Sequence, residues 1–147
     1  MMVVRQMLAE HSLRPEGERV SLFIERHLFL KRRWQGVAED GTAFDFDLES
    51  RLKNGCVIHQ TDDADYVIAQ QEEPVFQIAT PTVALAALVG WKIGNLHFPV
   101  QIGEGFVRVT VDPMIQELLA TEDWSYEKAR VVFQPLKLPP QVTSPNP

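Results

Sequence analysis

The stretch Thr82 to Ile93 is almost wholly apolar. It is well short of the roughly 20 apolar residues that a membrane helix needs, as is every other apolar run in the chain. Such a segment has to be covered by protein. Thr80-Pro81 supplies a helix cap followed by proline at the first helical position, where the missing N–H costs nothing. Gly94-Asn95 supplies the stop, since glycine is common just past a helix end. The sequence therefore predicts a helix over Thr82–Ile93, buried on most of its circumference. That is more apolar surface than one small domain readily covers, so a homodimer built on this half of the chain is expected.

The residues around this helix give it a context. Val75–Ala79 reads as a short strand before it. Phe98–Ile102 and Phe106–Val111 read as two strands joined at Gly103-Glu104-Gly105. Asp112-Pro113 repeats the cap-plus-proline start, and Ile115, Leu118 and Leu119 form the inward stripe of a second helix. Val131–Phe133 closes a βαββαβ order, that of a ferredoxin-like domain. The half before it has a different grammar. From Arg19 to Gln71 the chain alternates with period two, as in Val20, Leu22, Ile24 and in Phe44, Phe46, Leu48, and no helix is visible. A strand run is expected over Leu28–Ala38. Turns are expected at Glu39-Asp40-Gly41-Thr42 and Asn54-Gly55. The fold class is thus α+β. An N-terminal all-β domain spans residues 1–73, a ferredoxin-like domain 74–136, and a flexible proline-rich tail 137–147.

Composition excludes several functions. The net charge is −6, a poor electrostatic match to nucleic acid, whose binding rests on neutralising phosphates. The opening MMVVRQMLAEHSL has no long apolar core or small-residue cleavage site, so it does not read as a secretory signal. The single cysteine, Cys56, rules out an internal disulfide and fits a reducing cytoplasm. A cytoplasmic protein with no membrane or nucleic-acid partner is expected.

Catalytic signatures are lacking: there is no phosphate loop, no Gly-x-Ser-x-Gly, no His-Glu-x-x-His and no Cys-x-x-Cys. Cys56 lies in a strand-like run and reads as a core thiol. Thr61-Asp62-Asp63-Ala64-Asp65 lacks the glycine and closing glutamate of a calcium loop and reads as a solvated turn. Lys31-Arg32-Arg33-Trp34 reads as a mixed surface face, with partner contact as the sharper alternative. Among the four histidines, His11, His27 and His59 read as surface or strand-edge residues. His97 differs, because it follows a helix C-terminus, where unpaired carbonyls favour a cation. Pro99 restricts the backbone leading out of it.

The segment Gly90-Trp91-Lys92-Ile93-Gly94-Asn95-Leu96-His97-Phe98-Pro99-Val100-Gln101 resembles the signature of UreE proteins, usually Gly-Asn-Arg-His-x-Pro. Lys31-Arg32-Arg33, Asp40-Gly41, Asp47-Leu48 and Asn54-Gly55 are similar to that family's N-terminal β domain. Phe133-Gln134-Pro135 is similar to the close of its C-terminal domain, so the likeness covers about residues 19–136. The resemblance implies a homodimeric urease accessory protein, not an enzyme. It would carry Ni(II) as cargo, with Zn(II) or Cu(II) able to occupy the same site. It also implies the GTPase UreG and the apo-urease complex as partners. The family's interface histidine falls on His97, the metal residue expected here. Three departures bear on this. Leu96 stands where arginine or histidine is usual. Val111 and Pro113 stand where some relatives have histidines, and Thr143-Ser144-Pro145-Asn146-Pro147 replaces a histidine-rich tail. A single site shared across the dimer is the expectation, with a non-metal dimeric adaptor of urease assembly as the alternative.

Overall fold

Alternation of apolar and polar residues sends one face of each N-terminal strand inward. The computed structural model describes residues 1–136, so the tail expected over 137–147 lies outside the described residues. The chain divides into two compact units, Met1–Gln71 and the remainder from Glu72. The first holds β1 Met2–Val4, β2 Arg19–Ile24, β3 Arg33–Val37, β4 Ala43–Asp47, β5 Val57–Gln60 and β6 Asp65–Gln70. They form two sheets, ordered β1-β4-β3 and β2-β6-β5. Phe44, Phe46 and Leu48, the inward face expected for this run, are buried with Leu22, Ile24, Cys56 and Ile68. The β3–β4 hairpin turns at Glu39–Thr42, where Gly41 takes φ +89° and the Ala38 N–H donates to Thr42 O. Asn54-Gly55 turns as expected, with Gly55 at φ +87°.

Two expectations for this unit are corrected. Leu28–Ala38 is not one strand, because Arg26–Leu30 forms a 3-10 turn. Its bonds run from Leu28 N–H to Glu25 O and from Lys31 N–H to Leu28 O. The turn lets the adjacent Leu28 and Phe29 both pack against the core, whereas a strand would send them to opposite faces. The N-terminus also contributes a strand that the sequence does not announce. β1 pairs in parallel with β4 and buries Val4, but three residues are too few to show a period.

The second unit runs β7 Glu73–Ala79, α1 Val83–Asn95, β8 Val100–Gly103, β9 Phe106–Thr110, α2 Pro113–Glu122 and β10 Tyr126–Val131. Its antiparallel sheet has the order β10-β7-β9-β8, the ferredoxin-like arrangement. Asp112 caps α2 by accepting from the Met114 N–H at 2.8 Å, with Pro113 at the first helical position. Ile115 and Leu119 are buried, joining Phe76, Ile78, Val107 and Val109. At Gly103 a Cβ would lie 2.0 Å from the Phe106 ring, so any side chain there would have to displace that ring.

Here too the strands differ from the expectation. β7 begins at Glu73 and so includes Pro74; its ladder with β9 starts only at Val75, leaving Pro74 beside β10 alone. β10 starts at Tyr126 rather than Val131. It is an edge strand with mostly exposed side chains, so it lacks the apolar alternation that would have marked it.

Tyr66 and Asp40 make one of the polar contacts that tie the N-terminal hairpin to the core of its unit. The Tyr66 hydroxyl donates to the Asp40 carboxylate, which also accepts from the Thr42 N–H. These bonds hold the Asp40 carboxyl below the usual carboxylate range, with the tyrosine bond the larger cause. A depressed carboxyl adds stability above its unfolded pKa and loses it as pH falls through the folded value. Tyr66→Phe should therefore raise the Asp40 pKa, read by NMR titration of its carboxyl carbon. It should also flatten the loss of stability in acid. An unchanged Asp40 titration would contradict this.

Candidate metal centre

His97 is placed by the helix before it. Thr82, not Thr80, is the N-cap: its hydroxyl accepts from the Leu85 N–H at 3.1 Å. Pro81 thus precedes the cap, and Thr80 is instead buried, its N–H bonded to Gly105 O. The hydroxyl at position 82 reaches the third helical amide, which satisfies an orphan donor at the helix start.

Along α1, Val89 and Ile93 are buried and Leu85 packs beside them against the sheet and α2. The rest of the helix is not covered within the chain. Val83 is 88% exposed, Trp91 66% and Leu88 42%, and Ala84 and Ala87 are exposed with them. The expectation of a helix buried on most of its circumference is therefore corrected. One stripe is buried and an apolar face is left open. No polar side exists in the sequence to show which stripe goes inward, so the pattern could not reveal it.

The end of α1 also differs from the expectation. Gly94 lies within the last turn, and the helix continues to Asn95. Leu96 is the C-cap, and the residue in the left-handed region is His97, at φ +65°. Its N–H donates to Gly94 O at 2.9 Å, and the Leu96 N–H donates to Ile93 O. Glycine usually fills this place because a side chain costs about 1 kcal/mol there. This histidine accepts the strain at an exposed position just past a helix C-terminus, the end that carries partial negative charge.

The other candidates are scattered. His11 is exposed, His27 sits in the 3-10 turn with Nδ1 3.2 Å from Glu25 Oε2, and His59 packs half-buried against Phe44 and Tyr66. Cys56 is fully buried, and burial pushes its thiol up, away from reactive thiolate. In the acidic loop, the Thr61 hydroxyl accepts from the Asp63 and Ala64 N–H groups. Asp65 is buried beneath it, bonded by Ser12 Oγ and 3.2 Å from Arg14 Nε. The basic run divides: Arg32 and Arg33 reach Asp47, while Trp34 stacks on Phe46 with ring centres 3.8 Å apart. Among the described residues no three His, Cys, Asp or Glu side chains gather as a metal-binding group. His97 therefore belongs to no such group among the described residues.

One feature near His97 escaped the sequence reading. Lys92, the only charged residue of α1, pairs with Glu122 at the end of α2. The lone charge in an apolar helix was the available signal; its partner, distant in sequence, was not visible.

Residues 73–141 match the model of the UreE urease accessory protein C-terminal domain. The urease accessory protein UreE of Bacillus cereus is 29% identical over 119 residues, 79% of this chain and 79% of that protein. The second unit is thus similar to the C-terminal domain of UreE proteins. The UreE proteins of Burkholderia thailandensis and Burkholderia pseudomallei (strain 1710b) are each 29% identical over 84 residues, 57% of this chain. Those matches span only 39% and 41% of the Burkholderia proteins. The family is one of accessory proteins rather than enzymes. No helix among the described residues is long and apolar enough to cross a membrane.

The strain at His97 can be measured. His97→Gly should raise the stability of the chain by about 1 kcal/mol over His97→Ala in denaturant titrations, because only glycine relieves the left-handed backbone. Equal stability of the two variants would contradict the assigned conformation.

Proposed function

We propose that this chain is a nickel carrier for urease maturation, in which His97 and its copy across a homodimer axis hold the ion. The observation that carries the reading is the placement of His97. It is an exposed, conformationally strained imidazole at the end of a helix whose adjoining face is apolar and open. The match of residues 73–141 to the UreE C-terminal domain supports the biological role, and relatives bearing the name urease accessory protein support the urease connection.

The physical case rests on symmetry. A two-fold interface is isologous, so a residue near the axis meets its own copy. Val83, Ala84, Ala87, Leu88 and Trp91 form the surface for such a contact. Two imidazoles from two chains suit Ni(II) and leave coordination positions open, as a carrier that must release its cargo requires. Zn(II) or Cu(II) would compete for the same donors. The same reading makes the GTPase UreG and apo-urease the partners, and the cytoplasm the place of action.

Two measurements test it. Light scattering should give a dimer for the full chain and a monomer for Leu88→Asp, because a charge on the open face cannot be buried there without a partner. A monomeric wild type would overturn the interface. Calorimetric titration should find about one nickel ion per two chains, with affinity falling in acid because a protonated imidazole cannot bind metal. His97→Ala should weaken binding at least about tenfold, while His11, His27 and His59 variants change little. Unchanged binding by His97→Ala would favour the non-metal adaptor.

A further inference from the structure

We infer that the Lys92–Glu122 ion pair is the device that positions His97 for metal. The inference rests on the nickel-carrier reading and concerns how that same site is held. Lys92 lies in the last turn of α1, one residue before the buried Ile93 and five before His97. Glu122 is the last residue of α2, followed by Asp123 in the left-handed region. The pair joins the C-terminal ends of the two helices, and its side chains are only 31% and 23% exposed.

Three physical consequences follow. First, the turn that ends in His97 is anchored on one side by the buried Ile93, and the Lys92–Glu122 pair adds a second tie beside it. The amides of this turn are held by the Leu96-to-Ile93 and His97-to-Gly94 bonds, and Gly94 has open space around its missing Cβ. Glycine in a last turn loosens it, so a cross-link one turn earlier limits fraying. Second, Lys92 is the sole charge in an otherwise apolar helix. Unpaired, it would stand near the end where the ion is proposed to bind and would oppose a divalent cation; Glu122 offsets that charge. Third, a partly desolvated pair is screened less than a surface one, so breaking it is felt nearby. Lys92 and Glu122 are positioning residues, acting through the end of α1 without touching the metal.

The test uses the full-length chain with nickel ion as the probe. Lys92→Met and Glu122→Gln should each weaken nickel binding between about three- and thirtyfold. Lys92→Arg, which can keep the pair, should bind as wild type does. The double variant Lys92→Met/Glu122→Gln should be no weaker than the poorer single variant, as expected for residues acting as a unit. A metal-free readout guards against simple loss of fold. Amide exchange at Leu96 and His97 should quicken in Glu122→Gln, while the amides of Ile115 and Leu119 remain protected. Wild-type nickel affinity in folded Lys92→Met and Glu122→Gln, or additive losses in the double variant, would overturn the inference. If wild-type binding is instead insensitive to His97→Ala, the carrier reading fails. The exchange result then decides alone whether the pair holds the end of α1.

Discussion

The packing of Leu85, Val89 and Ile93 against the β7–β9 face is the constraint from which the rest of the C-terminal unit follows. Residues four apart on a helix share a face, so burying this stripe fixes the rotation of α1 about its axis. Ile93 is fully buried and contributes on the order of 1.5–3 kcal/mol by area alone. With that rotation set, Ala84, Ala87, Leu88 and Trp91 must face away from the core, and the chain leaves the helix at one defined place. His97 occupies that place. Its location is thus a consequence of core packing, while its left-handed backbone is a local expense that packing alone does not demand.

Carrying and catalysing call for different arrangements of donors. A resident metal site is closed by three or four protein ligands with an oriented outer shell. His97 belongs to the second unit and the other three histidines to the first, Cys56 lies sealed in the N-terminal core, and the Asp65 carboxylate is committed to Arg14 and Ser12. A site assembled only when two chains meet would be shallow and open by construction. That suits transfer, where affinity must be sufficient to hold an ion and limited enough to release it.

Much of the fold was legible because its signals are local. The Asp112-Pro113 cap, the Asp40-Gly41 and Asn54-Gly55 turns and the Phe44-Phe46-Leu48 face each depend on a few adjacent residues. What escaped reading depends on tertiary context. β1 and β10 are edge strands or too short to show a period, and the 3-10 turn at Arg26–Leu30 exists because both Leu28 and Phe29 find the core. The choice of Thr82 over Thr80 as cap was open to sequence, since both threonines can cap; Thr80 is instead drawn into the interior. At the candidate centre, His97 could be singled out from its position after a helix and from the family motif. Its positive φ could not, because Gly94-Asn95 offered a more conventional stop. The Lys92–Glu122 pair joins residues that only the packing of α1 beside α2 brings together.

The central claim, that one ion is shared by two copies of His97, is open to direct view. Crystals of the nickel-loaded protein, measured on both sides of the nickel absorption edge, would locate the metal by its anomalous signal. The account predicts a single peak on a molecular two-fold axis, within bonding distance of His97 from each chain. A peak at His11, His27 or His59, or one within a single chain away from any axis, would contradict it.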